Sequence, residues 1–210
     1  MTRYEKLTAW LVGAWFVFSL AAPAFHLYET GADRPPLPLG IAAVAPILLF
    51  LAWFSLSPGF REYTMSLNPR ALTMIQSLRL EGFVFLVLAS FSILPRVFAL
   101  PAGWGDIVIG ATAPLVALKL AGSNRRGSFL VWQILGIADL VSAVALGTLA
   151  RVIDPHGIAT GAMTVLPLSL IPTFAVPLFF ILHLICIAQA VRWPVERARP
   201  AAPQRQSVAL

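Results

Sequence analysis

A few side chains able to do chemistry fall inside long apolar runs. Asp139 lies about ten residues into the run 129–150, which places it about 15 Å deep if the run is a helix rising 1.5 Å per residue. A lone carboxylate at that depth in lipid costs at least ~2.5–3.5 kcal/mol, so it must be protonated, paired or in contact with water. The chemistry open to it is a proton or cation site, a ligand anchor, or a structural partner for Arg79. Arg79 and Glu81 lie in the first part of the run 71–94, with Gln76 three residues before Arg79. Gln76 and Arg79 share a helical face, whereas Glu81 points about 200° away from Arg79 at 100° per residue. Two fates suit Arg79: snorkelling towards the near membrane surface, or an ion pair with Asp139 between neighbouring helices. His183 and Gln133 fall at comparable depth in their own runs. Together, Asp139, Arg79, Gln133 and His183 could line one polar path in the inner half of a bundle.

A second polar set gathers at the opposite face: His26, Arg96, Asp106 and His156, with Trp104 as an interfacial anchor. The stretch Leu100–Leu120 is expected to open with a Pro/Gly turn and begin a helix at about residue 105, which would make Asp106 an N-terminal cap.

These residues must be positioned by elements that lipid dictates. The chain has 210 residues, 59% hydrophobic and 11% charged, against roughly 25% charged in soluble domains. Such an apolar excess cannot be hidden in one small core. Six runs approach the ~20 residues a bilayer needs: 8–28, 39–57, 71–94, 105–122, 129–150 and 165–191. The expected fold is therefore all-α, an integral membrane bundle of six transmembrane helices over residues 1–193, followed by a disordered basic tail over 194–210. Eleven Lys and Arg fall on the side of the N-terminus and three on the other, with Arg79 inside a span. The positive-inside rule then puts both termini in the cytoplasm. A rival reading takes Met1–Ala24 as a signal peptide cleaved after Ala22-Pro23-Ala24, leaving five spans.

The net charge of +6 comes from short loops and the tail, which speaks against nucleic acid as a partner. The single cysteine, Cys186, excludes an internal disulfide framework and a Cys-rich metal site. The histidines do not pair at matched depth for haem, and no phosphate-binding loop or zinc motif is present. No metal and no cofactor is expected. The partners expected are the lipid bilayer, a small molecule or ion, and further subunits of a homo-oligomer or membrane complex.

Glycine and proline suggest a threefold plan. Gly13, Gly82 and Gly136 precede Pro46, Pro114 and Pro177 by 33, 32 and 41 residues, as three repeated helical hairpins would. Pro167, Pro172 and Pro177 crowd the last span, and each removes a backbone donor and frees a carbonyl that needs another partner.

Gly103-Trp104-Gly105-Asp106 resembles the G-x-G-D signature of intramembrane aspartyl proteases and prepilin peptidases, which would imply a two-aspartate site with Asp139 as the second acid. The order of the acids departs from those families, the presenilin-type Pro-Ala-Leu is absent, and Asp106 is expected about 15 Å from the depth of Asp139. The segments LPAGWGDIVIGATAPLVALKL and LPLSLIPTFAVPLFFILHL resemble an uncharacterised group of bacterial inner-membrane proteins from about residue 80 onward. That resemblance implies location and fold but no activity.

The function expected is a small transporter or permease with Asp139 as its coupling acid. The alternatives are an intramembrane or lipid-modifying enzyme using the outer cluster, and a subunit or chaperone of a larger membrane complex.

Overall fold

Prolines and small polar caps set the helix boundaries. The computed structural model describes residues 3–29, 37–154 and 157–193. The expectations for His156, for the turn at 33–36 and for the tail 194–210 lie outside the described residues. All regular structure among the described residues is helical. The helices are α1 (Arg3–Ala24), α2 (Leu37–Leu56), α3 (Pro58–Ser66), α4 (Pro69–Ser90), α5 (Arg96–Lys119), α6 (Arg126–Ile153) and α7 (Ile171–Val191). All except α3 are long and apolar enough to cross a membrane, six in number. Large apolar side chains cover their outer surface: Trp10 is 78% exposed, Leu49 71% and Leu56 82%. An apolar surface this extensive is compatible with a membrane protein.

The helix α3 falls where a connection was expected. Ser57 caps it by accepting from the Phe60 amide at 3.3 Å, with Pro58 in the first turn. Phe60 stacks on Trp53 at 3.7 Å between ring centroids, and Tyr63 on Tyr4 at 6.2 Å. The Gln189 side-chain amide donates to the carbonyls of Thr64 at 3.1 Å and Leu67 at 2.8 Å. Gln189 thus closes the end of α3, whose last carbonyls have no partner within the helix.

Helices α4, α5, α6 and α7 form the core, with α5 against α4 and α6, and α7 against α4 and α6. Helix α2 packs on α7 and buries only Ala43, and α1 is attached mainly at the start of α7. That attachment follows from proline chemistry. The segment Ile171–Ala175 is π-helical, and Pro177 cannot donate to the Thr173 carbonyl. Trp15 Nε1 donates to that oxygen at 2.9 Å and Ser19 Oγ at 3.4 Å. The Trp15 ring also lies 4.7 Å from that of Phe174. The freed carbonyl is the hook on which α1 hangs.

Helix α4 changes pitch along its length. It is α-helical over Pro69–Ile75, narrows to 3-10 turns over Gln76–Gly82, and returns to α over Phe83–Ser90. Residues three apart eclipse one another in a 3-10 helix, whereas in an α-helix each such step drifts by 60°. The tightening therefore keeps Thr73, Gln76, Arg79, Gly82 and Phe85 in one buried line.

Helix α5 starts at Arg96, not near residue 105, and runs through Pro101, Gly103 and Gly105. Its glycines serve close packing instead of a turn. A Cβ at Gly103 would meet the Gly82 carbonyl oxygen at 2.8 Å and Leu86 Cδ2 at 2.7 Å, so α4 and α5 touch backbone to backbone there. Of the three glycines in the repeat pattern, Gly82 and Gly136 face such close neighbours, while Gly13 has open space around it. Gly103→Ala is expected to lower stability by about 1–3 kcal/mol through overpacking, and Gly13→Ala to leave it unchanged or slightly raised. Thermal unfolding of the two variants in mild detergent checks this; equal midpoints would mean that the α4–α5 contact yields at no cost.

Candidate functional site: a shared guanidinium in the core

Two apolar clusters fill the core, one around Ile109, Phe129 and Ile185 and the other around Phe85, Leu94 and Phe98. Between them lies a polar layer to which each core helix contributes a side chain: Arg79 from α4, Asp106 from α5, Gln133 and Asp139 from α6, and His183 from α7.

Arg79 is fully buried. Its Nε donates to Asp106 Oδ1 at 2.7 Å, and one terminal nitrogen is ion-paired to Asp139 Oδ2. The other terminal nitrogen donates to the Gly136 carbonyl and to His183 Nε2, each at 3.3 Å. The planar fork of a guanidinium is suited to such a spread of acceptors, since it presents five N–H groups in fixed directions.

The donor-only guanidinium sets the direction of the hydrogen bonds beyond it. His183 must accept at Nε2, so Nδ1 carries the proton and donates to Gln133 Oε1 at 2.5 Å. The Gln133 amide nitrogen then donates to Thr73 Oγ1 at 3.4 Å, and Thr73 lies 3.8 Å from Cys186 Sγ. The result is an ordered polar chain from Arg79 along the inside of α4, α6 and α7. The His183 ring is flanked by Trp132, 5.6 Å away between centroids, whose Nε1 donates to Thr112 Oγ1 at 2.9 Å. Gln76, one turn before Arg79, donates to the Phe179 carbonyl at 3.1 Å.

Absent side chains make room for this layer. An ideal Cβ on Gly105 would collide with the Asp139 carboxylate, and one on Gly136 with the His183 ring.

The structure corrects two expectations. Arg79 does not snorkel; it takes the ion pair with Asp139 and a second with Asp106. Asp106 is neither a helix cap nor part of an outer cluster. It lies in the third turn of α5, 9% exposed, at the level of Asp139. The misplacement came from reading Pro101–Gly105 as a turn, when the helix continues through it. The outer set does not assemble among the described residues: His26 is exposed and bonded to Glu29 at 2.7 Å, and Arg96 is exposed at the start of α5. The two acids of the G-x-G-D comparison lie at one level, with the guanidinium of Arg79 between them. The signal that could have found Asp106 was its spacing: Gly103, Asp106 and Gly110 recur at three and four residues, as one helical face requires.

The comparisons add a family to this geometry. The chain belongs to the family described as Domain of unknown function (DUF8737), whose sequence model matches residues 36–191. The matched stretch takes in α2 to α7, and with them every side chain of the polar layer, and leaves α1 outside. No curated protein and no solved structure matches the chain.

Removing one member of a buried ion pair costs about 3–5 kcal/mol because the partner charge stays behind. Arg79→Leu is therefore expected to abolish the folded peak in detergent size-exclusion chromatography, and Arg79→Lys not to restore it, since an ammonium cannot span the same acceptors. The triple variant Arg79→Leu, Asp106→Asn, Asp139→Asn removes all three charges and is expected to recover folded protein. A fully stable Arg79→Leu single variant would show that the ion pairs contribute nothing.

Proposed function

We propose that the chain is a multi-pass membrane protein of the small transporter or permease kind, with its polar layer as a proton- or cation-dependent coupling site. In this reading the six long helices span a bacterial inner membrane as a bundle of three hairpins, with both termini cytoplasmic and the basic tail beyond residue 193 free of the bundle. The observation that carries it is an imbalance of charge. One guanidinium faces two carboxylates, and among the described residues neither acid has a second ion pair. With both acids ionised, the layer would hold one formal negative charge between two apolar clusters, where lipid surrounds the bundle. An uncompensated charge at such depth is expensive and marks ion or proton pathways. A proton or cation that comes and goes would relieve it and, in doing so, change how Arg79 divides itself between α5 and α6.

Asp139 is the coupling acid in this scheme. It is the more accessible of the pair by a small margin, with its side chain 14% exposed against 13% for Asp106, and it shares its helix with Gln133 and Gly136. Gln133 and His183 line the inner path. The enzyme alternative has less to draw on, because among the described residues His26 bonds to Glu29 and Asp106 to Arg79, and neither reaches the other. The reading as a subunit of a larger membrane complex or homo-oligomer keeps one observation in its favour, the nearly bare α2.

Reconstitution tests the coupling site. In proteoliposomes holding a pH-sensitive dye, an imposed potassium diffusion potential is expected to drive proton uptake through the wild type. Asp139→Asn should slow it at least about tenfold, a barrier change of roughly 1.4 kcal/mol, and Glu62→Gln on α3 should not. Equal rates in all three would remove Asp139 from the mechanism.

A further inference from the structure

A cavity of about 170 Å³ opens on the side of the polar layer that faces the start of α5 and the end of α6. Ala43, Phe85, Phe98, Leu140 and Met163 form much of its wall, and Asp106 is its ionisable residue. Two threonines line it as well, but their hydroxyls donate to backbone carbonyls, Thr148 to Val144 at 2.8 Å and Thr160 to Gly147 at 3.3 Å. Pro172, also in the wall, has no amide to offer. The cavity is thus largely apolar, with Asp106 as the one charged side chain in its lining.

Asp106 is the pivot. Its Oδ1 is held by Arg79, and Oδ2 has no hydrogen bond among the described residues. A spare carboxylate oxygen beside an apolar cavity accepts a donor strongly. The surplus negative charge of the layer favours a donor that is also a cation. The rings of Phe85 and Phe98, 5.3 Å apart in an edge-to-face arrangement, offer a surface to a flat apolar body or to the cation itself. The volume is comparable with the ~150 Å³ apolar cavity that takes a single benzene ring.

We infer that this cavity binds a compact hydrophobic ammonium ion, a primary or secondary amine carrying one ring or a short branched chain, with its N–H donors on Asp106 Oδ2. The inference rests on the reading of the layer as a cation-dependent site and names the class of cation. Carboxylates are repelled by Asp106 at the floor of the cavity, and sugars find too few polar side chains in its walls. The ammonium ion supplies the positive charge that the two carboxylates lack, and Arg79 holds both acids in place while it binds.

Binding to the full chain in mild detergent is the test, measured by isothermal titration with three probes of one shape: 2-phenylethylammonium, 2-phenylethanol and phenylacetate. The ammonium ion is expected to bind at least about tenfold more tightly than the alcohol, a difference of roughly 1.4 kcal/mol, and phenylacetate not to bind. Asp106→Asn should erase the preference for the cation. Since that variant also disturbs the ion pairs, Ala143→Leu provides a second check: it fills the wall without touching Arg79 and should abolish binding of both the ammonium ion and the alcohol. Equal affinity for ammonium ion and alcohol would overturn the inference and mark the cavity as a seat for an apolar chain. Binding that survives Ala143→Leu would place the ligand elsewhere and overturn it too. Absence of ammonium binding alongside Asp139-dependent proton uptake would refute this ligand class while leaving the coupling site intact. Binding without proton uptake would do the reverse.

Discussion

The guanidinium of Arg79 cannot shed its charge, so a chain that buries it must surround it with acceptors. That one requirement explains much of the core. Two carboxylates, a carbonyl and an imidazole nitrogen reach it from three other helices, and the helices must approach closely enough for short side chains to do so. Glycine supplies the closeness at Gly82 and Gly103, where two backbones meet, and clears space at Gly105 and Gly136 for the groups around the charge. The 3-10 stretch of α4 turns Gln76 and Arg79 onto the same line as the glycine that follows. The apolar clusters above and below exclude competing partners and raise the cost of any failure in this arrangement.

A similar demand, applied to the backbone, explains how the outer helices are held. Prolines in α7 leave carbonyls unclaimed, and one of them recruits Trp15 and Ser19 from α1. The attachment of α1 is narrow, through the first part of α7 and the contact of Tyr4 with α3, and α2 is held by a broader but shallow contact. The most closely packed part of the molecule is therefore α4 to α7. The π-helical turn of α7 lies in the wall of the cavity through Ile171 and Pro172 and also anchors α1 through Thr173, so a change in one place has a physical route to the other.

The proposed mechanism draws on an asymmetry about the polar layer. On one side runs a chain of hydrogen bonds through His183, Gln133 and Thr73, whose direction is set by Arg79. On the other lies an apolar cavity floored by Asp106. An acid pair that shares one cation between these two environments responds to anything that adds or removes positive charge. Its two carboxylates belong to different helices, so redistribution of Arg79 between them is also a mechanical event.

By itself the sequence determined that the chain is helical, that six helices are long and apolar enough to cross a membrane, and that Arg79, Gln133, Asp139 and His183 fall inside those apolar runs. Length, apolarity and the spacing of Gln76 and Arg79 are local properties, so they can be read from neighbours in the chain. The start of α5 and the helix α3 were not legible in the same way. Pro101, Gly103 and Gly105 carry the local signature of a turn, and only the approach of α4 and of Asp139 reveals that the glycines serve packing. That is also why Asp106 looked like a cap on the far face. The choice between a snorkelling Arg79 and a paired one depended on whether α4, α5 and α6 meet at one level, a matter of contacts between residues as far apart as 79 and 139. Depth along a helix can be counted in residues; who lies across from whom is decided by how whole helices pack, and tertiary structure alone sets that.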